Sequence, residues 1–141
     1  MGMIPGIDAS ASALGAERIR LDVIAGNLAN AQNTSDANGN VYRRKMVVFG
    51  SQLNDAINGG TGSNAGSQVE VAKIMDDPTP LPMVYSPGNP KADAKGMVQM
   101  PNVNPLDEMV DMMTASRSYQ ANLQVIQTGR SMFEQSLKIA E

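Results

Sequence analysis

The stretch PLDEMVDMMTASRSYQANLQVIQTGRSMFEQSLKIAE, residues 105–141, decides the fold. It contains no proline after Pro105, a favourable first helical residue, and only Gly129 interrupts it. Asp107, Glu108 and Asp111 stand near its start and Lys138 near its end, as the helix dipole favours. Alternating steps of three and four mark Met109, Met112, Ser116, Tyr119, Leu123, Ile126, Arg130, Phe133, Leu137 and Ala140, of which all but Ser116 and Arg130 are apolar or aromatic. The spacing predicts a long helix with a heptad seam.

The opposite end carries a matching signal. From Ile7 to about Asn33 no proline occurs, and Ile7, Leu14, Leu21 and Leu28 repeat every seven residues, with Ala11 and Ala25 in the intervening slots and Arg18 as the exception. A helix of about 28 residues would be roughly 42 Å long. Between the two helices the pattern changes. Asp36 to Asn40 is turn chemistry, Val41 to Leu53 and Gln68 to Met75 read as strands, 58–67 reads as a flexible Gly/Ser/Asn loop, and the proline-rich run from Asp77 to Pro90 reads as extended or turning. Met97 to Met100 suggests a further short strand. The expected fold is mainly α with a small β insert. Residues 1–33 and 105–141 form terminal helices that pair as a coiled coil and build an inner layer, and 34–104 form a small antiparallel β-rich domain.

Composition narrows the function. Among 141 residues there are 13 Gly, 8 Pro and 11 Met but only five aromatic rings, so burial must come from aliphatics and methionine. The absence of His and Cys removes Ser-His and Cys-His nucleophiles, zinc sites of the usual ligands, thiol chemistry and disulfides. A net charge of −3 with one basic triplet, Arg43-Arg44-Lys45, offers no stripe for nucleic acid, and a strand edge that is solvated or bridges subunits suits the triplet better. No run approaches 18 apolar residues and the start lacks a secretory signal pattern, so neither membrane insertion nor cleaved-signal export is expected.

The remaining polar groups read as structural. Asp36, Asn38 and Asn40 mimic calcium-loop ligands, but Val41 stands where glycine is needed and Val47 where glutamate is needed. Asp76-Asp77 precedes Pro78 in a turn, and Asp107, Glu108 and Asp111 suit a helix start better than acid–base catalysis. Met97, Met100, Met109, Met112 and Met113 suit adaptable packing better than Cu(I) ligation. No catalytic residue, metal site or cofactor is expected. Two long amphipathic stripes flanking a loop-rich insert each need a partner, which argues for a polymer or scaffold.

The residues themselves carry a resemblance. Ser12 to Ala31 (SALGAERIRLDVIAGNLANA) is similar to the N-terminal signature of bacterial flagellar rod and hook proteins. Tyr42-Arg43-Arg44-Lys45 with Val48-Phe49, Tyr85-Ser86-Pro87, Pro90, Ala92-Asp93, Gly96 and Pro101-Asn102-Val103-Asn104 resemble its proximal-rod branch, and Asp107 to Met112 with Ala115 to Asn122 completes the likeness. Gly26-Asn27 departs from a pair of asparagines common in that family.

The resemblance implies a structural subunit of a tubular drive shaft that transmits torque and walls an export channel. Its place would be the basal-body rod crossing the periplasm, reached through the flagellar type III export apparatus without a cleaved signal. Implied partners are copies of the same chain, the rod subunits FlgB and FlgF, and the adaptor FliE. The expected subunit interface comprises Ile7, Leu14, Leu21, Asn27, Leu28, Asn30, Met109, Met112, Tyr119, Leu123, Ile126, Phe133 and Leu137. Asn27 and Asn30 are one turn apart near a helix end, so they suit subunit bridging, which the family motif favours, or helix capping.

Overall fold

The computed structural model describes residues 5–35, 39–52 and 68–139. The expected loop at 58–67, most of the Asp36–Asn40 turn and the end of the last helix at 140–141 lie outside the described residues. The order of elements is α1 (Pro5–Ala29), β1 (Lys45–Gln52), β2 (Gln68–Asp76), β3 (Met83–Tyr85), β4 (Met97–Gln99) and α2 (Pro105–Ile139). The chain is thus mainly helical with a small β part.

The β part is two separate two-stranded antiparallel sheets. β1 pairs with β2 from Lys45 opposite Asp76 to Gln52 opposite Gln68, with a bulge where Val48 and Phe49 face Lys73 and Val71. The bulge leaves Ala72 unpaired and interrupts the alternation of β2. β3 lies within the proline-rich run that reads from sequence as extended or turning, and it pairs with β4 through Met83–Gln99, Val84–Val98 and Tyr85–Met97. Their connection is closed by Ser86 N donating to Gly96 O (2.8 Å) and by Asp93 Oδ1, which accepts from Lys95 N and Met97 N. Gly96 sits at φ +74°, where a Cβ would also stand 2.9 Å from the Tyr85 ring, so only glycine closes this turn unstrained.

α1 stops earlier than its composition suggests. Asn30 N is shared between the carbonyls of Gly26 and Asn27, and Asn30 Nδ2 returns to Gly26 O (2.8 Å), so the last turn tightens and Asn30 caps it. Gly26 remains inside the helix, and a Cβ there would meet nothing within 4 Å. Gly26→Ala should therefore raise the unfolding free energy by about 0.5–1 kcal/mol in urea denaturation followed by circular dichroism. α2 has a well-formed start. Asn104 is the N-cap, its Oδ1 accepting from Leu106 N (3.1 Å) and its Nδ2 donating to Asp107 Oδ2 (2.8 Å), with Pro105 at the first helical position.

The two helices pack on one another with opposed directions. Asn27 near the end of α1 meets Glu108 at the start of α2, while Ile7 near the start of α1 lies against Gly129. α1 also packs on the β1–β2 hairpin, where Val69 N donates to Ser12 Oγ (3.1 Å). Two neighbours explain why α1 is buried or half-buried over a wide arc while Ala11, Arg18 and Ala25 stay exposed.

The packed stripe of α2 corrects the expected seam by half. Met112, Tyr119, Ile126 and Phe133 lie inward as the heptad requires. The alternate layer is Glu108, Ala115, Asn122 and Gly129, one residue before the Met109, Ser116, Leu123 and Arg130 of the expected seam. The reason is steric. Ala115 is 0 % exposed and a Cβ on Gly129 would stand 3.0 Å from Ile7 Cδ1, so small side chains let the backbones approach more closely than leucine and methionine would. Arg130 is turned outward, paired with Glu134 along the helix (3.0 Å).

Few of the described residues are buried outright. Among the described residues the buried apolar ones are Ala16, Ile24, Ala31, Val98, Pro101, Val103 and Ala115, while the largest fully buried side chains are polar, Glu108 and Asn27.

Candidate functional site

Where the end of α1, the start of β1 and the first turn of α2 meet, the chain builds a polar clasp. Asn27, 1 % exposed, uses all its bonding capacity within the chain. Its Nδ2 donates to Lys45 O (2.8 Å) and Glu108 Oε2 (3.1 Å), and its Oδ1 accepts from Lys45 N (2.9 Å) and the Tyr42 hydroxyl (3.0 Å). Glu108, 0 % exposed, accepts from Arg44 Nε at 2.5 Å through its other oxygen. Arg44 continues outward to Asp111 Oδ2 (3.2 Å) and lies 3.8 Å from Asp77 Oδ2.

The backbone is held by the same residues. Arg44 N donates to Asn102 Oδ1 (2.8 Å), and Asn102 Nδ2 reaches the carbonyls of Thr79 (3.2 Å) and Asp77 (3.5 Å). Asp77 N donates back to Arg44 O (2.8 Å). Each residue of Pro101-Asn102-Val103-Asn104 thus has a distinct task. Pro101 and Val103 are buried, Asn102 joins β1 to the Asp77–Thr79 turn, and Asn104 caps α2.

Ionisation states follow from this wiring. The hydrogen bond to Glu108 holds the Arg44 guanidinium above its ordinary pKa. Asp77 is pushed below the usual carboxylate range, first by the hydrogen bonds it accepts from Thr79 and then by Arg44. Burial raises the Tyr42 phenol. A raised phenol pKa means that its contribution is complete below pH 10 and is lost as pH rises through the elevated value. Tyr42→Phe leaves Asn27 Oδ1 with Lys45 N alone and should cost about 0.5–1.5 kcal/mol in denaturant titration at neutral pH. Glu108 and Asp111 both pair with Arg44.

The expected interface residues fall into two groups. Ile7, Leu14, Leu21, Leu28, Met112, Tyr119, Ile126 and Phe133 are half-buried, and Asn27 and Asn30 are engaged within the chain at the end of α1. Met109 (48 % exposed), Leu123 (39 %) and Leu137 (55 %) are exposed. They belong to a larger outward set on α2 that begins with Leu106, Val110 and Met113. Sequence reading did not single out Tyr42 or Glu108 as partners of Asn27, or Asn102 as the partner of Arg44. The available signal was Glu108 seven residues before Ala115 on the small-residue stripe, an inward position where a carboxylate demands a cation.

Among the described residues no helix is long and apolar enough to cross a membrane. Residues 7–35, covering α1 and its cap, match the family described as flagella basal body rod protein. Residues 94–139, covering the Gly96 turn, β4, the 101–104 segment and α2, match the family described as flagellar basal body rod FlgEFG protein C-terminal. The whole chain is 45% identical over 141 residues to the flagellar basal-body rod protein FlgC of Escherichia coli O6:H1, covering 100% of both. It is 44% identical to FlgC of Salmonella typhimurium with the same coverage, and 42% identical to FlgC of Bacillus subtilis over 96% of each. Full-length identity at this level, with both helices matched to rod families, means that the chain belongs to the FlgC family of flagellar basal-body rod proteins, structural subunits rather than enzymes.

Proposed function

We propose that this rod subunit serves in the proximal rod and assembles through its helix pair into the tube that transmits torque and walls the export channel. The observation that carries this reading is the outward apolar face of α2. Leu106, Met109, Val110 and Met113 stand at i, i+3, i+4 and i+7 and are 48–69 % exposed on a helix whose other face is already covered by α1. A helix with two apolar faces is suited to being packed on both sides.

In this reading residues 1–33 and 105–141 form the inner layer as a coiled coil, and 34–104 form an outer contact layer. Met109, Leu123 and Leu137 contact neighbouring subunits, while Ile7, Leu14, Leu21 and Leu28 hold α1 to α2 through the Met112, Tyr119, Ile126 and Phe133 stripe. The neighbours are further copies of the chain, FlgB, FlgF and FliE. The rod crosses the periplasm, and the subunit reaches it through the type III export apparatus without a cleaved signal. Basal bodies isolated from a strain lacking this chain should end at the inner-membrane ring, with rod and swimming restored by the intact gene. A complete rod in the deletion strain contradicts the reading.

A further inference from the structure

The apolar pattern that pairs α1 with α2 does not by itself define their register. On α1 the inward repeat is Ile7, Leu14, Leu21 and Leu28, nearly the same side chain every seven residues. On α2 the layer that admits close approach is Ala115, Asn122 and Gly129, and the next position seven residues on is Ser136, again small. α2 has 35 residues and α1 has 25, so α1 could slide seven residues, about 10.5 Å, toward the end of α2 and remain opposite helix along its whole length. In that arrangement Ile7 would stand level with Ser136 and Leu14 with Gly129. Large would still meet small.

One layer breaks the degeneracy. Glu108 occupies the small-residue stripe but is a buried carboxylate, and Asn27 Nδ2 is 3.1 Å from it. A seven-residue slide would set Asn27 level with Ala115 and leave Glu108 beyond the end of α1. The strand start then acts as a ruler. Lys45 binds Asn27 through both its N–H and its carbonyl, and the preceding residue, Arg44, binds Glu108 by its side chain and Asn102 by its N–H. Two consecutive residues therefore fix the end of one helix and the beginning of the other.

We propose that Asn27 and Glu108 are specificity-determining residues that lock the antiparallel register of α1 on α2, selecting one of two pairings that apolar packing alone accepts. Buried polar contacts select register in paired helices in this way because the wrong pairing strands a polar group. In a rod subunit a slid α1 would also displace the hairpin that packs on it relative to the outward face of α2.

The chain contains no cysteine, so register can be read by thiol cross-linking without background. Ile7→Cys with Gly129→Cys reports the observed pairing, since removing Ile7 Cδ1 clears the 3.0 Å contact. Ile7→Cys with Ser136→Cys reports the slid one. With a short bismaleimide, the otherwise unaltered chain should cross-link at 7/129 and not at 7/136. Substituting Asn27→Leu with Glu108→Leu should make both products form in a chain that keeps its helical circular dichroism. Exclusive 7/129 product there overturns the proposal. Because an all-apolar layer could cost folding, a second variant moves the acceptor instead of deleting it. Glu108→Ala with Ala115→Glu should shift the product from 7/129 to 7/136, and persistence of 7/129, or loss of both products, overturns the lock.

Discussion

Glu108→Ala is expected to lower the unfolding free energy by about 3 kcal/mol, the lower end of the range for removing one partner of a buried ion pair. The loss has two parts. Asn27 Nδ2 loses its carboxylate acceptor, keeping only Lys45 O, and Arg44 loses its closest counter-charge inside the fold. The effect stays at the low end because Arg44 keeps Asp111 and Asp77 and its side chain is only partly withdrawn from water. Glu108→Gln keeps one oxygen to accept from Arg44 Nε but turns an NH2 toward Asn27 Nδ2, which then keeps only Lys45 O, and should cost about 2 kcal/mol, the penalty of a buried donor left without an acceptor. Urea denaturation of the purified chain distinguishes them. Equal and negligible losses would mean that the clasp contributes nothing to stability.

The second large effect concerns assembly rather than folding. Met109→Glu with Leu123→Glu places carboxylates at exposed positions, where substitutions change stability by about 0.5 kcal/mol or less. Helicity and the denaturation midpoint should therefore stay close to those of the unaltered chain. If these side chains are covered by a neighbouring subunit, burying two unpaired carboxylates there costs several kcal/mol and assembly fails. Cells carrying the double variant should make the protein but not swim, and their basal bodies should lack a rod. Lys91→Ala, an exposed change in the β3–β4 connection, should swim normally. Normal motility of the double variant would remove the outward face of α2 from the account.

How much of this was legible in the sequence differs between elements. Both helices were, because proline-free runs with heptad spacing at each end admit no other reading, and the 45–52 and 68–76 strands declared themselves by β-branched residues. β3 escaped notice because Pro80 and Pro82 precede a three-residue strand and Pro87 follows it, and proline near a strand argues for a turn until a partner is known. The seam of α2 was half legible. Met112, Tyr119, Ile126 and Phe133 are large and periodic, but Ala115 and Gly129 carry no hydrophobic signal, and their role depends on what opposes them. The clasp was not legible as a unit. Asn27, Tyr42, Arg44, Asn102 and Glu108 are separated by as many as 81 positions, and each taken alone has an ordinary local explanation as a cap, turn or helix-dipole residue.

The most direct test is an electron-microscopy map of the isolated basal body, at a resolution that traces side chains through the rod. It should show α1 lying antiparallel on α2 of the same chain, Asn27 bonded to Glu108 within that chain, and Met109 and Leu123 covered by neighbouring subunits. A rod in which α1 pairs with α2 of a different subunit, or in which Met109 and Leu123 face solvent, would contradict the account at its centre.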